Sequence, residues 1–381
     1  MNSHGSLTIF VAATIWLCTT LPARAQLTQE QLRESIIKAK IMPVSASLSL
    51  TMDRGNVLVE VRGYPSNEIQ DKKIDAILIT RRLVEADPAN IKAVSTRYLA
   101  PANPNVFTEI IVSNNEINGA SAGAIDRGEL LNGVVEVSID PGDDTAHKVD
   151  KYVQAASREL DRNGLYEAEF YLNSAARLTP EAISYSAEYG NNLLRLAEAF
   201  RMRGDSTEQE QIYQSISDSI ATAKGSQGAL STFRKLRDNY IVQKHYDKAV
   251  SLAAGIIKLQ ENQGSVTAEY ENDLMALAIC HRNLGESKKA IVELEQILKN
   301  QDNKAEKNAS SKLMTTLYEE LGDCYSLEHN AAKAKELYRK SKEFCDQAAV
   351  SRVESERISY DLYRFMVARL NAKIDKAAPN P

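Results

Sequence analysis

The chain has 381 residues, a formal net charge of −5, 43% hydrophobic and 25% charged residues. That length exceeds one ordinary hydrophobic core and calls for two or three domains or a repeat array. A pI near 5.7 and a mean hydropathy of −0.35 argue against a broad basic surface for nucleic acid.

The amino end differs in composition from the rest. Leu7 to Leu17 is an apolar run too short to cross a bilayer comfortably, and Ala23-Arg24-Ala25 before Gln26 has the small-x-small form of a signal-peptidase site. Residues 1–25 therefore read as an export signal, although Met1 to Ser6 supply no Lys or Arg; retention as an anchor is the alternative. The expected location is a bacterial periplasm or cell envelope, or outside the cell. Cys280, Cys324 and Cys345 remain beyond the signal, an odd number spread over helical patterns that suits buried thiols better than a disulfide framework.

Residues 26–140 read as a small α+β domain of order ββαββ. Leu27 to Lys40 has helical spacing, ended by Pro43. Alternating residues flank Asp53-Arg54-Gly55-Asn56, so Ser45 to Val61 reads as a β-hairpin. A helix follows from Glu68 to Ala86, with Ile74, Ile77 and Leu78 expected on its buried stripe, Ile69 and Val84 extending it less regularly, and Asp87-Pro88 closing it. Strands are expected at Ile91–Leu99 and Val106–Val112, and a further one at Val134–Val137 after a glycine-rich connection. Asp140 to Asp144 reads as an exit linker, with too few alternating oxygen ligands for a calcium loop.

From Asp150 onward every segment is helical, and the pattern repeats. Aligning the first helices on Ala156, Ala197, Arg237, Ala278 and Gly322 gives intervals of 41, 40, 41 and 44 residues. One residue before these anchors stand Ala155, Leu196, Leu236, Leu277 and Leu321; three after stand Glu159, Phe200, Tyr240, His281 and Tyr325. The second helices keep the same register, with Ala168, Gln209, Ala249, Ala290 and Ala334 twelve residues beyond each anchor. A small residue on each helix lets two antiparallel backbones approach, and neighbouring hairpins must stack to bury the remaining apolar face.

This pattern over 150–345 resembles the tetratricopeptide repeat (TPR) family, most clearly in Leu274–Ile297 and Tyr318–Ser341. Its period exceeds the usual repeat and is similar to the kinesin light chain subgroup. The expected fold is mainly α, a TPR-like solenoid of about five hairpins behind the α+β domain. Residues 346–374 are expected to cap it, with one long helix running from Ser351 to Ala372. Arg237 and Gln209 fill places the family gives to small residues, and Glu159 stands where an aromatic is common.

No constellation of catalytic or metal-ligating residues emerges, and no motif calls for a cofactor or metal. The five histidines are scattered, and adjacent Cys280 and His281 point in different directions on a helix. Asp53, Arg54, Glu60, Arg62, Arg81 and Arg82 form no recognisable set, so an enzyme housed in the N-terminal domain is the least supported reading. The resemblance instead implies a binding scaffold for a protein or peptide, through the concave surface of the first helices. By position that surface carries Asn191, Glu198, Arg201, Arg234, Asp238, Asn272, Arg282, Glu319 and Asp323. Amides pair with a peptide backbone in both directions, and guanidinium groups grip carboxylates. Self-association through the ends of the array is the structural alternative.

Overall fold

The computed structural model describes residues 27–53, 55–264, 268–302, 310–351, 354 and 357–377. The expected signal, residues 1–25, lies outside them. The N-terminal region runs α1 (Gln29–Lys38), β1 (Ser47–Asp53), β2 (Asn56–Arg62), α2 (Ile69–Ala86), β3 (Ala93–Ala100), β4 (Asn103–Ser113), α3 (Asn114–Ser121), α4 (Arg127–Gly133) and β5 (Glu136–Ile139). The five strands form one sheet in sequence order. Three pairings are antiparallel; β2 and β3, joined through α2, run parallel.

Side chains on this sheet alternate between two cores, as the two-residue strand period requires. Val94 and Tyr98 of β3 and Ile110 and Val112 of β4 join Leu32, Ile36, Ile79 and Leu83 beneath α1 and α2. Ala93, Leu99, Phe107 and Ile111 face the other way, into a core shared with the first helical hairpin. That second core includes Tyr152, Tyr171 and Leu196 and reaches Leu252 and Cys280, so apolar packing is continuous from sheet to solenoid. Asp140 to Asp144 is the turn between β5 and the next helix; the Lys151 ammonium gathers the Asp140 and Asp143 carboxylates at 2.9 and 2.6 Å.

Two expectations in this region need correction. The glycine-rich stretch after β4 is not a plain loop: Ser113 and Asp126 build capping boxes with Glu116 and Glu129, and these start α3 and α4. The face of α2 is also rotated in part: Val84 of the expected stripe is buried, and Ile69 and Ile77 pack half-buried against the core. Ile74 and Leu78 are 45% and 40% exposed, while Ala76, Ile79, Thr80, Leu83 and Val84 are buried. The small Ala76 and the back-bonded Thr80 hydroxyl, which donates to the Ala76 carbonyl at 2.8 Å, let α2 lie close to the sheet. An apolar count alone favours the larger but outward-facing isoleucine and leucine.

The helical region comprises α5 (Thr145–Asp161), α6 (Leu165–Leu178), the short α7 (Ala182–Tyr185), α8 (Ala187–Met202), α9 (Ser206–Ser219), α10 (Gln227–Val242), α11 (Tyr246–Asn262), α12 (Ala268–Asn283), α13 (Ser287–Asp302), α14 (Ser311–Leu327), α15 (Ala331–Val350) and α16 (Tyr360–Lys376). Five hairpins result: α5–α6, α8–α9, α10–α11, α12–α13 and α14–α15. The final helix starts at Tyr360, not Ser351, and Ile358 before it is buried.

The repeat register holds to the residue. Seven positions after each anchor, Asn163, Gly204, Lys244, Gly285 and His329 all take positive φ, between 58° and 81°. The next amide, on Gly164, Asp205, His245, Glu286 and Asn330, donates to the carbonyl of Glu159, Phe200, Tyr240, His281 and Tyr325 at 2.8 to 3.0 Å. Each first helix therefore ends in the same Schellman-type cap, with the left-handed residue reversing the chain into the second helix. Ala156, Ala197 and Ala278 are at most 1% exposed, as are Ala168, Ala249, Ala290 and Ala334 opposite them. Cys280, Cys324 and Cys345 are buried free thiols.

Candidate partner-binding face

The first helices α5, α8, α10, α12 and α14 stand side by side, and their polar residues meet across the seams. Between α5 and α8, the Asn192 amide donates to the Ser157 hydroxyl at 2.7 Å, and Arg195 reaches Asp161 at 2.6 Å. Between α10 and α12, Arg234 donates from Nε and Nη2 to Asp273, at 2.8 Å from Nη2. Arg237 donates from Nη1 to the same carboxylate, which is 1% exposed. This accounts for an arginine in a small-residue place: Arg237 is 6% exposed, and its guanidinium extends through the seam to a partner on the next repeat. Between α12 and α14, Arg282 lies 2.9 Å from Asp323 and 3.0 Å from Glu320.

The terminal helix continues the series. Arg369 and Lys373 of α16 approach Glu319 of α14 at 2.6 and 2.8 Å, and Lys373 also meets Asp323 at 2.7 Å. Tyr338 adds its hydroxyl to Asp323 at 2.8 Å. A cleft of about 450 Å³ opens beside this cluster, lined by Arg282, Asp323, Leu327, Tyr338 and Lys373.

The nine residues proposed from sequence position are thus distributed unevenly. Arg282, Glu319 and Asp323 converge on one cluster, together with Glu320, Arg369 and Lys373. Arg234 and Asp238 are joined through the Asp273 carboxylate that Arg234 shares with Arg237, whose Nε donates to Asp238 at 2.9 Å. Glu198 and Arg201 form their own exposed bidentate pair at 2.6 and 2.7 Å, and that hydrogen bonding holds the Glu198 carboxyl below its ordinary range. Asn191 accepts from Lys235 at 2.8 Å, and Asn272 is exposed.

The same face also presents exposed apolar side chains. Met202, Val242 and Leu327 are 73%, 81% and 54% exposed, and all three stand five residues after their anchors. Leu284, six after its anchor, is 44% exposed. Met202, Val242 and Leu327 are the last residues of α8, α10 and α14, one turn beyond Glu198, Asp238 and Asp323, and Leu284 directly follows α12, so the four form a row along the array. The sequence contains the signal for this row, but it appears only when exposed rather than buried register positions are compared.

Hairpins repeating at 40 to 44 residues, with one cap geometry and alanines at the crossings, decide the fold. The helical region is a TPR-like solenoid. It is similar to solved structures of that kind. One shows nearly identical TPR-like repeats of a Podosopora anserina chain assigned as a kinesin light chain, at 16% identity and TM-score 0.38 over 55% of this chain and 100% of that one. Another is BtubC (BKLC) from P. vanneervenii, at 14% identity and TM-score 0.37 over 56% and 86%. A third is pilF of Pseudomonas aeruginosa, at 15% and 0.30 over 62% and 95%. No family model and no curated protein matches the sequence. Among the described residues, no group of three or more His, Cys, Asp or Glu is arranged to hold a metal ion, and no helix is long and apolar enough to cross a membrane.

Proposed function

We propose that this protein is an exported scaffold without catalysis of its own, and that its solenoid binds an extended segment of a protein partner across the ends of the first helices. The row Met202, Val242, Leu284 and Leu327 carries this reading, because exposed apolar side chains recur at nearly one register position in four successive hairpins. Packed helices sit about 8–10 Å apart, and a polyproline II segment advances about 3.1 Å per residue with about three residues per turn, so every third side chain faces the same way. A bound segment of that form crossing the row would therefore offer an apolar side chain at every third residue. The cleft beside Leu327 would take the last of them. Export is supported by the apolar run Leu7–Leu17 and by Ala23-Arg24-Ala25.

The test is a peptide array with apolar residues at every second, third or fourth position, read against the full chain by fluorescence polarisation. Preference for the three-residue period, weakened at least tenfold by Met202→Ser with Val242→Ser and Leu327→Ser, supports the reading. Equal binding by that variant sinks it.

A second reading, self-association, is favoured by Tyr360, Leu362 and Phe365, which stand 71%, 46% and 61% exposed on terminal helix α16. Light scattering across a concentration series separates the two: a mass that stays monomeric removes self-association.

A further inference from the structure

Where α3 and α4 meet the turn of the first hairpin, a cavity of about 310 Å³ opens between the sheet domain and the solenoid. Four carboxylates line it: Glu116 from α3, Glu129 from α4, Glu159 from α5 and Glu167 from α6. One cation, Arg162, shares the lining, and its Nη1 donates to the Gly133 carbonyl at 2.7 Å. Glu159 and Glu167 are only 6% and 5% exposed. Their Oε2 atoms flank Gly164, where a Cβ would lie 2.7 Å from the first and 3.3 Å from the second. Glu116 accepts from the Ser113 amide at 2.9 Å. Glu159, 6% exposed, has no hydrogen-bond donor among the described residues, and Arg162 is the cation that acts on it.

Burying an unpaired carboxylate is expensive unless something positive compensates it. We propose that this cavity binds an organic cation, a primary ammonium or guanidinium on an alkyl stem, held by Glu116, Glu159 and Glu167. Three features select that chemistry. The excess of carboxylates over Arg162 calls for positive charge. The oxygens are not arranged for a metal ion, which needs several within about 2.3–2.6 Å of one point. A many-donor organic head can instead bridge carboxylates set farther apart. Ile125 and Leu130 supply an apolar wall for the stem.

Without the cation the site holds protons. Burial, then the neighbouring Glu167, pushes the Glu159 carboxyl up to about 7 and the Glu116 carboxyl to about 8. Glu129 and Arg162 face the same space. Glu109 of β4, buried deeper, is already engaged by Ser95, Arg97 and Tyr152, and the Tyr171 hydroxyl donates to the Val135 carbonyl. Cation binding therefore releases protons near neutral pH and tightens as pH rises.

Isothermal titration of the full chain tests this, with agmatine as a free alkylguanidinium and acetyl-Gly-Arg-Gly-amide as one carried on a polypeptide. Saturable binding is expected, roughly tenfold tighter at about pH 8 than at about pH 6 for one displaced proton. The heat should depend on the ionisation enthalpy of the buffer. Glu159→Gln should weaken binding at least tenfold. Gly164→Ala, which leaves every charge in place but pushes a methyl group against Glu159, should do the same, and circular dichroism verifies that both variants fold. Tighter binding of agmatine assigns the site to a free cation, and tighter binding of the peptide to a partner's basic side chain. Absence of saturable heat from either probe with the wild-type chain, or undiminished binding by both variants, overturns the proposal.

Discussion

The seams between successive first helices and the seam between the sheet and the first hairpin bury charge in opposite ways. Across α10 and α12, two guanidinium groups share the Asp273 carboxylate; across α14 and α16, Arg369 and Lys373 meet Glu319. At the sheet junction, Glu116, Glu159 and Glu167 confront one another with Arg162 at the edge. Opposite charges fix the sliding register of neighbouring repeats, because each partner is satisfied at one offset only. Like charges fix nothing by themselves. They leave a demand for a proton or a ligand at the junction.

The largest effect should come from breaking the paired seam. Asp273→Ala leaves Arg234 and Arg237 without their shared acceptor, and removing one partner of a buried ion pair destabilises by about 3–5 kcal/mol. Urea unfolding should show that loss, whereas Asp238→Ala, which removes only the exposed acceptor of Arg237, should change stability by less than about 0.5 kcal/mol. If the two variants unfold alike, the paired seam is not what holds α10 to α12.

Close approach is the other device at the repeat seams. A Cβ on Gly190 of α8 would lie 2.1 Å from Thr232 Oγ1 and 2.7 Å from its Cγ2 on α10. Thr232 is 1% exposed and, being β-branched, has little rotamer freedom to yield. Alanine is the better helix former by about 1 kcal/mol, yet overpacking should dominate and leave Gly190→Ala roughly 1–3 kcal/mol less stable. Adding Thr232→Ala should restore most of that; simple additivity of the two losses would contradict the proposed contact.

At the junction the expected signature is a pH dependence. Folded Glu159 and Glu116 carboxyls lie at about 7 and 8, above the ordinary 4.5 of an unfolded glutamate. The folded state therefore binds more protons than the unfolded chain. The resulting stability is complete below about pH 4.5 and lost as pH rises through 7 to 8. Glu159→Gln removes part of that loss, so its advantage over wild type should grow toward pH 8 to about 1–2 kcal/mol in thermal melts without added cation. A constant difference across that range would mean that Glu159 titrates as it does when unfolded.

Much of the solenoid was legible because its rules are local. Anchors such as Ala278 and Gly322, and left-handed turn positions such as Gly204, Gly285 and Asn163, recur at fixed offsets in one chain segment. The partners of Arg234, Arg237 and Arg282 were not legible, since they lie 36 to 41 residues away and depend on how far each repeat slides past the next. The carboxylate cavity was visible only as Glu159 in an aromatic's place; its companions Glu116 and Glu167 come from other elements. The helices α3 and α4 were hidden by glycines that outweighed two good capping boxes. The nine proposed groove residues were placed by analogy of position, which gives a side of the helix but not what each side chain already holds.

The smallest expected effect tests the face of α2, where apolar periodicity included two outward-facing residues. Ile74 and Leu78 look like a buried stripe in sequence but stand 45% and 40% exposed, whereas Ile79 and Leu83 are fully buried. Ile74→Ser should shift stability by no more than about 0.5 kcal/mol, and Leu83→Ala, which empties a place beneath the sheet, by about 2–5 kcal/mol. The pair separates two causes that a single variant would confuse. A large loss from Ile74→Ser with no loss of helix would mean that the exposed isoleucine is covered by another molecule in solution. The N-terminal domain would then present a contact surface of its own, beside the row on the solenoid.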